Sequence, residues 1–221
     1  MKTFHELQEG VYDPNIFKAF FLAGGPGSGK SYVVRKTTGG TGLKSVNSDP
    51  AFELLLKRAG LSLKMPPEEF ERKEVQRARA KEITKARQAN YLEGRLGLII
   101  DGTGKDADKI LKQKAGLEEL GYDTYMIFVN TSIDVALKRN AERPRSLQPA
   151  FVVKSWKDVQ ANIGAFNNMF RQGSIVVDNN DASEDILAGI WKRVRGLLRK
   201  KVQNTRAQNW MAAELARKQR K

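Results

Sequence analysis

The stretch Phe17-Lys18-Ala19-Phe20-Phe21-Leu22-Ala23-Gly24-Gly25-Pro26-Gly27-Ser28-Gly29-Lys30-Ser31 decides the fold. Residues Gly24 to Ser31 fit G-x-x-x-x-G-K-[ST], the phosphate-binding P-loop. The apolar run before it reads as a buried first strand, and Tyr32-Val33-Val34-Arg35-Lys36 continues after it as a helix. Glycines at 24, 25, 27 and 29 permit backbone angles that residues with a Cβ avoid. Gly24, Gly25, Pro26, Gly27, Ser28 and Gly29 can therefore wrap successive N–H groups around a phosphate at a helix N-terminus. In such a loop Lys30 is expected to reach the β/γ-phosphates and the Ser31 hydroxyl to ligate Mg2+.

Outward from this motif, strands and helices alternate, which implies a parallel sheet with helices on its faces. Strands are expected at about 18–23, 43–47, 96–101, 122–129 and 174–178. Ser48-Asp49-Pro50 opens a helix that runs to Gly60. A long charged helix is expected over about 68–94, with Val75, Ala78, Ile83, Ala86 and Ala89 tracking its apolar face. Thr131 or Ser132 caps the helix after the fourth strand, and one helix is expected from about 150 to 170. The last helix starts near Ser183 or Glu184.

In an open α/β sheet, ligands bind beyond the carboxyl ends of the strands. Asp49, the pair Asp101 and Thr103, and Asp178-Asn179-Asn180 all follow strand ends, so they are expected to face the same cleft as the P-loop. Asp49 is the candidate for orienting an acceptor hydroxyl and taking its proton. The competing reading is a helix N-cap followed by Pro50. Asp101 is expected to hold the acceptor or a Mg2+-bound water, Thr103 to donate to the acceptor, and Asn179 to meet a nucleotide base. For these residues the competing reading is turn formation.

A P-loop by itself implies a nucleoside triphosphate, not a reaction. The chain has no clear guanine-specificity N/T-K-x-D signal, and its third strand ends in Asp-Gly-Thr rather than Asp-Glu. The segment Val135-Ala136-Leu137-Lys138-Arg139-Asn140-Ala141-Glu142-Arg143-Pro144-Arg145 favours a small kinase. Its arginines can neutralise charge that spreads over the transferring phosphoryl oxygens. Arg139 and Arg143, four apart, are expected on one helix face, with Pro144 ending the helix and freeing Arg145.

Composition bounds the remainder. A chain of 221 residues suits one α/β domain. It has no cysteine, so disulfides, thiolate metal sites and a cysteine nucleophile are excluded, which fits the cytoplasm. The only histidine is His5, outside every motif. No apolar run approaches the length of a membrane span. Net charge is +14, yet residues 192–221 hold 11 Lys/Arg against one acid, which leaves only +4 on residues 1–191. The chain thus divides into a P-loop domain (1–191) and a basic C-terminal extension (192–221) that can attract a polyanion such as nucleic acid.

The pieces GGPGSGKS, VNSDP, LIIDGTG and VNTSIDVALKRNAERPR, in this order, resemble P-loop kinases of the zeta-toxin and polynucleotide-kinase type. The resemblance implies an adenylate-kinase-like three-layer α/β/α P-loop NTPase fold with a five-stranded parallel sheet. It also implies ATP-Mg2+ and transfer to a hydroxyl. By this likeness Asp49 is the catalytic aspartate, and Arg139, Arg143 and Arg145 belong to a lid. A polynucleotide 5′-hydroxyl would use the basic extension, whereas a UDP-N-acetyl sugar or another small hydroxyl compound would not. The alternative from another class is a nucleotide-binding, nucleic-acid-associated or assembly protein with little phosphotransfer.

Overall fold

The computed structural model describes residues 10–64, 66–143, 146–181 and 183–219, so His5 and Arg145 lie outside the described residues. Five parallel strands, β1 (Lys18–Ala23), β2 (Lys44–Val46), β3 (Leu98–Asp101), β4 (Asp123–Asn130) and β5 (Ser174–Asp178), lie in the order β2-β3-β1-β4-β5. The Phe-rich run is central because every residue of β1 is buried, with β3 on one side and β4 on the other. The expected three-layer P-loop architecture is the one observed.

Alternation along β1 divides the core between the two faces. Phe20 and Leu22 join Ile99, Ile127 and Val129 beneath α1 (Lys30–Thr38), which contributes Val33. Ala19, Phe21 and Ala23 join Leu98, Ile100 and Phe128 on the opposite face. Between β2 and β3 run α2 (Asp49–Arg58) and α3 (Phe70–Glu93). After β3 come α4 (Ala107–Glu119) and, beyond β4, α5 (Ile133–Ala141). Ser132, not Thr131, caps α5, accepting from the Val135 amide at 3.3 Å.

Three expectations are corrected. The apolar positions assigned to α3 do not face inward: Val75 is 57 % exposed and Ile83 37 %, while the one fully buried residue of the helix is Ala80. Its sheltered side runs through Lys73, Arg77, Ala80, Thr84, Gln88 and Tyr91, a helical stripe that is mostly polar and whose Thr84 and Gln88 border a cleft rather than the core. The helix expected over 150–170 is two, α6 (Pro149–Ala161) and α7 (Ile163–Phe170), broken at Asn162, whose side chain donates to the Gly104 carbonyl at 3.0 Å.

The third correction concerns the basic segment. The boundary placed after residue 191 falls inside α8 (Glu184–Leu198), whose Val194, Leu197 and Leu198 are core residues. The following α9 (Thr205–Gln219) lays Ala207, Trp210, Met211 and Leu215 against the sheet's other core. That stripe at helical spacing is readable in the sequence but is masked by the surrounding charge. Trp210 meets Phe17 edge-on at 5.6 Å, and Arg206 donates to the Glu119 carbonyl at 3.1 Å. These contacts put α9 beside the start of β1, at the end of the sheet opposite the P-loop. The six residues of β1 span about 20 Å. Trp210→Ala is expected to cost about 2 kcal/mol, less than a fully buried aromatic because Trp210 is half-buried. Urea denaturation would show it as a lower midpoint. Among the described residues no helix is long and apolar enough to cross a membrane.

Candidate active site

The P-loop joins the end of β1 to the start of α1, and its shape demands glycine. Gly27 and Gly29 have φ values of 78° and 80°. A Cβ on Gly27 would run into the Ala136 carbonyl oxygen, and one on Gly29 into the Asn179 side chain. The Gly24 amide donates to the Thr103 carbonyl at 2.9 Å, which ties the loop to the turn after β3. Among the described residues no carbonyl takes the amides of Gly27, Gly29, Lys30 or Ser31, so they are available to an anion at the first turn of α1. Gly27→Ala should lower nucleotide affinity at least about tenfold through this strain. Titration with a fluorescent ATP analogue would measure it, with circular dichroism confirming that the fold is kept.

Asn179 has a different setting from the one expected. It is 3 % exposed, its side-chain amide donates to the Ser28 carbonyl at 2.7 Å, and its backbone amide donates to the Asn130 carbonyl at 2.8 Å. It is a strut beneath the P-loop, with one N–H of its side-chain amide given to the Ser28 carbonyl. Arg139 reinforces the same corner: its two terminal nitrogens donate to the carbonyls of Asn179 at 2.7 Å and Asn180 at 3.1 Å. Arg143 does not share a helix face with Arg139, because α5 ends at Ala141 and Arg143 is exposed in the segment beyond. The reason is buried Asn140, which bonds both backbone groups of Leu147, at 2.8 and 3.0 Å, and draws together the two ends of the intervening loop.

On the other side of Lys30 a chain of polar contacts runs from β3 to α3. Lys30 Nζ lies 3.8 Å from Asp101 Oδ1, and Asn47 Nδ2 donates to Asp101 Oδ2 at 2.8 Å. Asn47 Oδ1 accepts from the Asp49 amide at 2.8 Å, so one asparagine spaces the two aspartates. Asp49 is not the N-cap of α2; Ser48 occupies that position. The Asp49 carboxylate is instead paired with Arg77 of α3 at 3.0 Å, with the guanidinium 3.6 Å above the Phe52 ring. Burial pushes the Asp101 carboxyl above its ordinary value; the Lys30 ammonium opposes this and the nearby Asp49 charge adds to it.

The structure therefore brings Asp49, Asp101, Thr103 and Lys30 to one side of the P-loop and puts Arg139 and Asn179 on the other. Asn47, Arg77 and Asn140 emerge only in three dimensions. Beyond β3, next to Asp101 and Thr103, a cavity of about 320 Å3 opens between α3 and α4. The arrangement can hold a polyphosphate on the glycine loop and a second compound in the adjoining cavity.

Comparisons with known proteins agree with this architecture. The family described as AAA domain matches residues 20–165. A candidate kinase of Chloroflexus aurantiacus j-10-fl superposes with a TM-score of 0.50 at 16 % identity, over 82 % of this chain and 98 % of the other. A gluconokinase of Sinorhizobium meliloti 1021 gives 0.50 at 13 %, over 83 % and 97 %. A chain of the Pnkp1/Rnl/Hen1 RNA repair complex gives 0.52 at 22 %, over 69 % of this chain and 47 % of that one. No curated protein matches the sequence.

Proposed function

We propose that this chain, which belongs to the AAA domain family by the match over residues 20–165, is an ATP-dependent phosphotransferase that moves a γ-phosphoryl group to a hydroxyl acceptor. The observation that carries the reading is the 3.8 Å approach of Lys30 to Asp101, where the P-loop meets a second cavity. A phosphate grip alone needs no such neighbour; a two-substrate reaction does.

The glycine cradle, closed to any Cβ at Gly27 and Gly29, fits the phosphates of ATP. The hydroxyl oxygen attacks the γ-phosphorus, the bond to the β–γ bridging oxygen breaks, and ADP leaves with that electron pair. Lys30 neutralises charge on the transferring group. Asp49, which Arg77 holds at 3.0 Å, is the carboxylate that the resemblance assigns to accepting the hydroxyl proton, and Asp101 sits between Lys30 and Asn47. Thr103 faces the same cavity and donates to the acceptor. Mg2+ bound largely by substrate phosphates needs few protein oxygens, and the exposed Ser31 hydroxyl at the first turn of α1 fits that demand. When bound, the ion would neutralise phosphate charge. Arg143 and Arg145 are the lid arginines in this reading, and Arg139 acts through the Asn179 corner as a positioning residue.

Two acceptor kinds follow from the resemblance to zeta toxins and polynucleotide kinases: a sugar nucleotide and a polynucleotide 5′-hydroxyl. The basic C-terminal residues favour the alternative of a nucleic-acid-associated protein. The last helix, α9, packs beside the start of β1, so nucleic acid bound along it would have to bridge the length of that strand to present its end to Lys30. The test is incubation with γ-labelled ATP and oligonucleotide, nucleotide and sugar-nucleotide acceptors. Transfer of label to one class is the expected result. Nucleotide binding with no labelled acceptor would overturn the kinase reading and leave the alternative.

A further inference from the structure

The cavity beside Asp101 has a chemistry of its own. Its floor is apolar, with Phe21, Ile100 and Ile110 contributed by two strands and α4. Its rim carries Lys81, Thr84, Lys85 and Gln88 of α3, and Lys105 and Lys109 from the turn after β3 and the first turns of α4. Four lysines, from α3 and from the turn and helix that follow β3, thus border one opening. Among the described residues none of them has an ion-pair partner, although Lys114 on the same α4 is paired with Glu118 at 2.6 Å. The two carboxylates that also line the opening are committed elsewhere. Asp101 is held by Lys30 and Asn47, and Asp106 accepts from the Lys109 amide as the cap of α4. The lining therefore keeps an excess of two positive charges.

We propose that this cavity is a phosphate subsite for the acceptor, which is a small phosphorylated hydroxyl compound such as a nucleoside monophosphate or a sugar phosphate. The inference rests on the phosphotransferase reading for the identity of the acceptor but not for the binding of phosphate. The volume of about 320 Å3 sits at the small end of ligand clefts, about 300–1,000 Å3, and suits one such unit rather than several consecutive nucleotides. The Gly24–Thr103 hydrogen bond ties the cavity wall to the P-loop, and Asp101, which lines the cavity, lies 3.8 Å from Lys30, so a compound anchored by Lys85 and Lys109 has its far end on the Lys30 side of the opening. The apolar floor takes the sugar or base. Thr84 and Gln88 of the sheltered stripe of α3 line the same opening, so the stripe is polar where it forms part of a binding wall.

The experiment compares matched pairs: uridine with uridine 3′-monophosphate, and N-acetylglucosamine with its 1-phosphate, alongside a short 5′-hydroxyl oligonucleotide. Calorimetric binding, in the presence of a non-hydrolysable ATP analogue, is measured beside transfer from γ-labelled ATP. The phosphorylated member of at least one pair should bind at least about tenfold more tightly, as a charge-assisted contact requires. The pair that responds identifies the source of the phosphate. Lys85→Gln with Lys109→Gln should erase that preference while affinity for the ATP analogue stays unchanged, and Lys85→Arg with Lys109→Arg should retain it. Equal binding within both pairs, or a preference that survives the double glutamine variant, overturns the subsite. Tighter binding of the oligonucleotide than of either phosphorylated monomer overturns the small acceptor. If phosphate-dependent binding is seen but no compound is labelled, the phosphotransferase reading fails and the subsite stands. If label passes equally to neutral compounds, the reverse holds.

Discussion

Lys30→Ala is expected to reduce phosphoryl transfer by about 10²–10³-fold or more while leaving the protein folded. Lys30 is the first residue of α1, and its ammonium lies against a carboxylate, Asp101, rather than in the hydrophobic core. Its removal takes away only the part-buried aliphatic stem of one lysine and no residue of the core clusters. What is lost is the one cation that belongs to the glycine loop itself, the charge that in the proposed reaction meets the γ-phosphoryl oxygens. The loop amides remain, so ATP should still bind, more weakly. Single-turnover transfer with saturating ATP separates the two effects: a loss in rate that higher ATP does not restore is the expected outcome. Restoration by ATP alone would make Lys30 a binding residue only. Arg139→Ala provides the contrast, because its guanidinium serves the Asn179 and Asn180 carbonyls.

Much of this site is legible in the sequence where local chemistry is one-dimensional. The Phe-rich run before Gly24 reads as β1 because a central parallel strand is buried on both faces and needs no alternation. Gly27 and Gly29 are legible because their φ angles exclude other residues. What is not legible is set by partners far along the chain. Asn47 looks like an ordinary loop residue until Asp101, 54 positions away, comes within hydrogen-bond distance. Arg77 looks like solvated charge until Asp49 and Phe52 pack against it. The face of α3 misleads for a related reason: amphipathic reading assumes that the sheltered side is apolar, whereas Thr84 and Gln88 face a cavity. The opposite error occurs in α9, where Arg and Lys suggest an extension although Trp210 and Met211 anchor the helix to the core.

Asp49→Asn is the substitution that separates proton transfer from binding, and it is expected to slow transfer by about 10²–10⁴-fold with ATP affinity little changed. Asparagine keeps the shape of the side chain and an oxygen for Arg77, so α2 and α3 should stay packed; what disappears is the capacity to take a proton. The change also reaches Asp101. The Asp49 charge is one of the causes that hold the Asp101 carboxyl above its ordinary value, after burial, while Lys30 pulls it down. Removing the Asp49 charge must therefore lower the Asp101 value, and carboxyl NMR titration should show its midpoint moving to lower pH. Lys30→Ala should move it the other way, and the opposite signs distinguish direct electrostatic coupling from a general loosening of the site. The same logic fixes a stability trend. A carboxyl whose value is raised by folding binds its proton more tightly in the native than in the unfolded state. Its contribution to stability is therefore greatest at low pH and falls as pH rises through the native value. Asp101→Asn removes that penalty while keeping an acceptor for Asn47, so at neutral pH its Tm should not fall even though its transfer rate does. A lower Tm would mean that the ion pair with Lys30 outweighs the burial of the charge, and that Asp101 serves the fold before it serves the reaction.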